Sequence, residues 1–444
     1  MQINNNNWDT GYEWKVVLLL ALGFGLVGLD RWILSSLWPS MIAELGFQPG
    51  TVGTLAGLTG VVWGIFAIFS GRLADKIGHR KILITAIILF SLMGGFTGMV
   101  NTLVLLIVIR AIMGAAEGAY TAPSFTAVAV ASKPERRGLN QGLQQCGFAL
   151  VGFALAPIIA TQLLEAGVSW RTIFWIAALP GFIVAAFLFK VLKEPQDTMG
   201  AAALGVAQDE HQDVKWLSVF SSSNIIVCMI MLMCAMSCVF VLGALVPVYL
   251  QIVLGLSLAQ MGLVASALGF GGFFGQFVWP GLSDKIGRKP VCTVGFIGAT
   301  ICVYWFFQTG AGVGALFIPL FLTSFFCLGN VALITGPIST ESAPTGLVAA
   351  AIGIVVGTGE IFGGGVAPAI AGYVANNMGL PNIGWVALVG VFLGIFVSLA
   401  LKETAPVKVG APAPQTVESA IDESDPMPDS QASESTIDES DPMT

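Results

Sequence analysis

Charge is scarce in this chain. Only 10% of its 444 residues are Asp, Glu, Lys or Arg, against about 25% in soluble domains, which excludes an ordinary water-soluble fold. Histidine is nearly missing, with only His79 and His211. No CxxC pair with distal Cys or His partners occurs, so no metal site is expected. No Gly-rich loop ends in Lys-Ser/Thr, which excludes nucleotide hydrolysis as an energy source. No nucleophile–base pair is readable either, so the chain is not expected to be an enzyme or to carry a cofactor. The seven cysteines all lie in apolar runs and are read as small apolar side chains without disulfides. The Asn-rich start, Asn4 to Asn7, has no basic stretch and no small-residue cleavage site before a short apolar core. It is read as leading into a retained first span and not as a signal peptide.

Hydrophobic residues make up 55% of the chain, with a mean hydropathy of +0.84. Twelve apolar segments are each long enough to cross a bilayer at roughly 20 residues per span. They cover 15–40, 51–70, 82–100, 103–130, 139–163, 171–192, 221–252, 259–280, 291–309, 314–338, 346–374 and 383–401. Sixteen of the 19 basic residues fall in connectors on one side. The excess of positive charge predicts that this side, which holds both termini, is cytoplasmic. The net charge of −7 belongs to the tail. Through Glu403 there are 18 Lys/Arg and 17 Asp/Glu, and the remainder holds nine acids and one Lys.

The expected organisation is a cytoplasmic segment (1–14), a six-helix bundle (15–192), a polar central loop (193–220), a second six-helix bundle (221–402) and an acidic tail (403–444). The tail repeats Ser419–Met427 as Ser435–Met443; its low hydrophobicity and dense negative charge predict disorder. Asp75-Lys76-Ile77-Gly78 returns as Asp284-Lys285-Ile286-Gly287, between the second and third spans of each half. The fold class is therefore an all-α membrane protein with twelve transmembrane helices in two pseudo-symmetric bundles. In parallel-repeat transporters of this plan the substrate sits between the halves near mid-membrane.

Charges inside the spans are the strongest functional signal. Asp30-Arg31 interrupts the apolar run from Val16 to Met41, where each charge costs on the order of 3 kcal/mol on insertion scales. Arg110 and Glu117 are seven residues apart in the fourth span and share a helix face. By helix rise they lie about 10 and 21 Å below its outer end, and Asp30-Arg31 about 15 Å deep. Asp30 is expected to pair with Arg110, and Arg31 with Glu117. Glu360 is about 21 Å deep in a Gly-rich stretch, Gly357 to Gly365. No basic residue occupies a span of the second half. Glu360 is thus read as a second proton site, a partner for a substrate hydroxyl, or a neutral packing residue. Gln144 and Gln145 in the fifth span are candidate substrate partners or interhelical bonds. Tyr120, Tyr249, Gln251, Gln276 and Asn330 are weaker lining candidates. The Met229, Met231, Met233 and Met236 group reads as packing. Trp32, Trp38 and Trp63 read as interface anchors or aromatic cage members.

Gly71-Arg72-Leu73-Ala74-Asp75-Lys76-Ile77-Gly78-His79-Arg80-Lys81 resembles the loop 2–3 signature of the major facilitator superfamily. The resemblance covers residues 15–402 and implies a gating role for Gly71, Asp75, Gly78 and Arg80, packed against neighbouring helix ends and stabilising an outward-open state. The second copy, with Asp284, Gly287 and Arg288, departs in having Pro280 where the first has Gly71. Asp30-Arg31 with Arg110 and Glu117 is similar to the anion:cation symporter branch, although Val27-Gly28 stand where its usual Asn-Tyr is found. Spinster-like lipid carriers share a similar Asp-Arg pair. The branch resemblance implies proton carriage at Asp30 and Glu117, a link to substrate through Arg31, and a substrate-contacting Gln near Gln144.

A carboxylate held by Arg through two parallel hydrogen bonds would displace the acid that held that Arg. The released acid would then take up a proton. The expected function is proton-coupled uptake of a small organic anion, such as a sugar acid or an aromatic acid, by alternating access. Efflux of drug-like or lipid compounds, anion exchange and a non-transporting sensor are the alternatives. The partners expected are the anion, H+ and the lipid bilayer, with no nucleic acid; the chain is read as a monomer of a bacterial inner membrane.

Overall fold

A computed structural model describes residues 8–133, 136–194, 216–344, 348–405 and 408. Most of the central loop and nearly all of the acidic tail, with its repeat, lie outside the described residues. The apolar segments form twelve helices long and apolar enough to span a membrane. They are α1 (Thr10–Leu45), α2 (Thr51–Ile77), α3 (His79–Thr97), α4 (Leu103–Ala131), α5 (137–165), α6 (Trp170–Val191), α7 (Ser223–Ile252), α8 (Leu258–Ile286), α9 (Arg288–Gln308), α10 (Val313–Ser342), α11 (348–378) and α12 (Ile383–Leu399). Side chains cap several helix starts at the polar boundary. Asp9 accepts from Tyr12 N at the start of α1. Thr102 and Ser169 cap α4 and α6 in the same way, and Ser257 with Gln260 forms a capping box on α8.

The six positive-φ glycines reveal the internal repeat. Gly46 and Gly255 (φ 70° and 65°), and Gly78 and Gly287 (φ 105° and 118°), are each 209 residues apart. Gly167 and Gly379 (φ 80° and 95°) complete the set at a spacing of 212. These left-handed positions strain any side chain with a Cβ, so the glycines fix equivalent corners in both halves.

Two acids hold the corner at the terminus-bearing face. Glu194 accepts from Arg80 N at 3.4 Å, at the start of α3. Glu403, also 209 residues on, accepts from Arg288 N at 2.8 Å and Lys289 N at 3.3 Å, at the start of α9. Arg80 also donates to Phe189 O and lies 4.9 Å from the Phe189 ring centroid. Arg288 bonds Asp284 at 2.5 Å and Glu341 at 2.8 Å. The side chain of Asp75 and the surroundings of Gly71, within α2, are outside what the structure describes.

The halves meet most closely from the remote rim to the membrane middle. A Cβ at Gly53 would sit 2.6 Å from Pro368 O, and at Gly57 or Gly60 it would reach the Gly365 or Gly364 carbonyl at 2.6 or 2.5 Å. Only glycine permits this approach of α2 to α11. At the remote rim Gly50 N donates to Asn376 Oδ1 at 2.6 Å and Ala259 N donates to Glu165 Oε1 at 2.9 Å. Toward the terminus-bearing face a Cβ at Gly142, Gly336 or Gly353 would meet nothing within 4 Å.

Candidate substrate site between the halves

Five ionisable side chains from three helices are buried at mid-span: Asp30 and Arg31 on α1, Arg110 and Glu117 on α4, and Glu360 on α11. Their pairing differs from the sequence expectation. Arg31 Nη1 bonds Glu360 Oε2 at 3.2 Å, and Arg31 Nη2 donates to Gly364 O at 3.3 Å. The second half thus supplies the acid that Arg31 was expected to find in Glu117. Arg110 Nη1 donates to the backbone carbonyl of Asp30 at 3.0 Å and to Met113 Sδ at 3.4 Å, and not to the Asp30 carboxylate. Asp30 rests against α3, where a Cβ on Gly94 would lie 3.1 Å from its Oδ1.

Several polar groups remain open among the described residues. Both Glu117 oxygens lack a hydrogen-bond partner although the side chain is fully buried. Glu117 nevertheless lies within electrostatic reach of Arg31, Asp30, Arg110 and Glu360. Arg31 Nε, Arg110 Nε, Arg110 Nη2 and Trp32 Nε1 are also without partners. Unpaired buried polar atoms are rare in folded proteins, and those of Arg31, Trp32, Arg110 and Glu117 belong to or adjoin the buried charged group at mid-span.

The local backbone around this group is irregular. Residues Phe148–Leu155 of α5 and Gly359–Val366 of α11 are π-helical, a wide turn that concentrates at functional sites. The α11 segment brings Glu360 and the Gly364 carbonyl to Arg31. The α5 segment carries Phe153, which stacks on Trp32 with centroids 4.3 Å apart; Trp32 stacks in turn on Phe240 of α7 at 5.2 Å. The Arg31 guanidinium lies 4.5 Å from the Phe240 centroid, within cation–π range.

Other candidates take supporting positions. Gln144 is buried and donates to Ser124 Oγ at 2.8 Å, leaving its Oε1 open; Gln145 is half-buried. Tyr120 is fully buried, donates to Leu20 O at 3.4 Å and meets Phe90 edge-on. Tyr249 packs among Phe306 and Phe307 near the remote end of α7. Asn330 is held between Trp279 Nε1 and the Cys292 carbonyl. Phe240, Phe153 and the Gly364 carbonyl went unread in the sequence. Their signal was an aromatic or glycine at the middle of a span, which apolar composition hides. The Glu194/Glu403 pair was readable, since Leu-Lys-Glu at 192–194 recurs at 401–403.

An ion pair joins the two six-helix halves of a repeated bundle whose helices are long and apolar enough to cross a membrane. The profile of the Major Facilitator Superfamily matches residues 20–359 and 254–424, and the chain belongs to that family of transporters, which are not enzymes. It is 28% identical over 399 residues to a "Probable 4-methylmuconolactone transporter" of Cupriavidus pinatubonensis, covering 87% of this chain and 90% of that one. It is 28% identical over 378 residues to "Sialic acid transporter NanX" of Escherichia coli, covering 82% and 88%. A crystal structure of a bacterial homologue of the human lysosomal transporter Spinster, inward-facing and occupied, superposes with a TM-score of 0.68 at 17% identity, covering 88% of this chain and 95% of that one.

Proposed function

We propose that the protein couples proton entry to uptake of a small organic carboxylate across a bacterial inner membrane, with both termini in the cytoplasm. The observation that carries this reading is the Arg31–Glu360 pair, 3.2 Å long and buried between the halves. Arg31 keeps an unpartnered Nε, so its guanidinium has a free donor for an incoming carboxylate, and two parallel bonds are the favoured geometry for such a pair. The ligand replaces Glu360 as the partner of Arg31. The names of the relatives, which include sialic acid, agree with an anionic cargo.

Charge balance supplies the coupling. The site contains three carboxyls and two guanidiniums, so one bound proton makes the empty site neutral. A monoanion restores neutrality only by bringing one further proton. Neutrality matters because moving an uncompensated charge through the low-dielectric seal costs several kcal/mol. Glu117, with no hydrogen-bond partner on either oxygen, and the released Glu360 are the carriers; Asp30 is the third acid. Arg110 fixes α1 to α4 through the Asp30 carbonyl and keeps two open donors for the ligand or for Glu117. The six-helix units 15–192 and 221–402 move against each other. The corner motifs with Gly78, Arg80, Gly287 and Arg288 hold the terminus-bearing ends when that side closes.

The test is proton entry into proteoliposomes containing a pH-sensitive dye, compared with protein-free vesicles, for a panel of impermeant sugar acids, aromatic acids, hydroxy acids and dicarboxylates. Acidification by one class, absent in Glu117→Gln, is the expected result. No acidification by any member, with folded protein, contradicts the reading.

A further inference from the structure

A crevice of about 420 Å³ lies between α1 and α6, at their ends nearest the terminus-bearing face. Lys15, Leu18, Leu19 and Leu22 line it from α1, and Phe187 and Val191 from α6. The α1 positions follow the i, i+3, i+4, i+7 spacing of one helix face. Leu18, Leu22 and Phe187 are about half exposed, so the crevice opens sideways toward the bilayer and not toward the charged group at mid-span. Lys15 is its one polar lining residue and stands at the end nearest the termini. Leu22 lies about 10 Å deeper by helix rise.

The charge at the mouth is of one sign. Lys190, beside the lining Val191, is exposed in the last turn of α6. Lys193 follows, with its Nζ 5.0 Å from the Tyr12 ring centroid. The acids of this region are engaged elsewhere. Asp9 accepts from Tyr12 N, and Glu194 accepts from Arg80 N. Glu13 is fully buried and is held by Arg136 at 3.0 Å and Asn140 at 2.9 Å. Among the described residues no acid pairs with Lys15 or Lys190.

The second half shows that the fold does not require these cations. Advancing 209 positions takes Lys15 to Asn224 and Lys190 to Leu399, while Phe187 recurs as Phe396. Asn224 is buried and bonds both the N–H and the carbonyl of Lys402, at 3.0 and 3.1 Å. The apolar wall is thus shared by the two halves, and the unpaired lysines belong to the first alone.

From the apolar wall and the unpaired lysines at its mouth we infer that the crevice binds one anionic phospholipid of the leaflet at the terminus-bearing face. An acyl chain lies along Leu18, Leu22 and Phe187, and the phosphate meets Lys15, with Lys190 beside it. Basic pockets between transmembrane helices favour anionic headgroups. A zwitterionic lipid brings its own cation to the phosphate and gains less from the lysines. The inference goes beyond the transport reading and is independent of the cargo.

The test is native mass spectrometry of the purified full chain in micelles holding equal amounts of phosphatidylglycerol and phosphatidylcholine. The wild-type chain should retain one phosphatidylglycerol in preference to phosphatidylcholine. Lys15→Gln with Lys190→Gln should lower that preference by about twenty- to thirtyfold, at about fivefold for each basic contact. Lys402→Gln with Lys408→Gln removes two exposed charges of the second half and should leave the preference unchanged. Leu22→Trp fills the crevice, keeps both lysines and should also abolish selective retention. Equal retention of the two lipids by the wild-type chain overturns the inference whatever the variants do. Equal losses in the two lysine pairs overturn it by showing a general charge effect. Retention unaffected by Leu22→Trp and displaced by inorganic phosphate overturns it in favour of a phosphate site without a lipid chain.

Discussion

The two halves of the molecule are alike at their corners and unlike at their centres. At the terminus-bearing face Gly78 and Gly287 share a left-handed backbone, and Glu194 and Glu403 accept from the first N–H groups of the following repeat helices. At mid-span the correspondence breaks. Advancing 209 positions takes Asp30 to Val239 and Arg31 to Phe240. The first half therefore holds two guanidiniums and two carboxyls, while the second offers one acid and an aromatic ring. A nearly two-fold bundle brings equivalent positions of α1 and α7 face to face near its axis. Two arginines there would repel each other; Arg31 instead lies 4.5 Å from the centroid of its own counterpart, Phe240. The lesson is that the repeat builds the hinge and seal, and the departure from it builds the site.

The sharpest way to break this comparison is to remove the charge that one half alone possesses. Arg31→Ala leaves Glu360 buried without a partner, a loss worth about 3–5 kcal/mol for such pairs. Uptake should fall by more than about a hundredfold while the folded yield survives in Arg31→Lys. A smaller, selective effect is expected from Glu117→Gln: proton-driven accumulation should vanish, yet counterflow exchange of labelled substrate should stay within about threefold of wild type, since the neutral amide mimics the protonated acid. Loss of both activities in folded protein would assign Glu117 a structural role.

Two further changes probe the parts that the halves share. Asn376→Ala with Glu165→Ala removes the cross-half bonds to Gly50 N and Ala259 N. At about 1 kcal/mol per hydrogen bond, the pair should shift the closed remote rim toward opening by roughly tenfold or more. Distance distributions between spin labels on the rim would read that shift. The smallest effect concerns Glu403. Burial pushes its carboxyl up, but the N–H groups of Ala405, Arg288, Lys289 and Thr404 outweigh burial and hold it below the usual carboxylate range. A lowered folded-state value stabilises above the ordinary carboxylate pKa and loses that contribution as pH falls through the folded value. Glu403→Gln should thus lower the melting temperature slightly at pH 7. The gap to wild type should close as the medium is acidified below about pH 4, the ordinary Glu range.

Much of the fold was legible because the bilayer imposes its rule locally. Each span announces itself by a long apolar run, and the Asp75–Gly78 repeat marks the corner without any three-dimensional knowledge. The in-span charges announce their importance by their cost. Their partners were not legible. Depth along α1 and α4 suggested that Arg31 faces Glu117, but depth says nothing about rotation between bundles. Glu360 seemed to lack a cation only because the search for one stayed within its own half. The π-helical turns at Phe148–Leu155 and Gly359–Val366 change which residues face the site, and the pattern of apolar residues does not encode them.

The central claim is that substrate and Glu360 compete for Arg31. The most direct measurement is the affinity of Glu360→Gln, against wild type from pH 5.5 to 8, for the acid that drives the largest proton entry. Competition predicts that wild type binds more tightly as pH falls, because a protonated Glu360 releases Arg31. It also predicts that Glu360→Gln binds about tenfold more tightly than wild type at pH 8 with a flatter pH dependence, an order of magnitude matching one charge-assisted bond removed from the competition. Weaker binding by Glu360→Gln with the wild-type pH slope intact would contradict the claim and make Glu360 a ligand of the substrate instead of its rival.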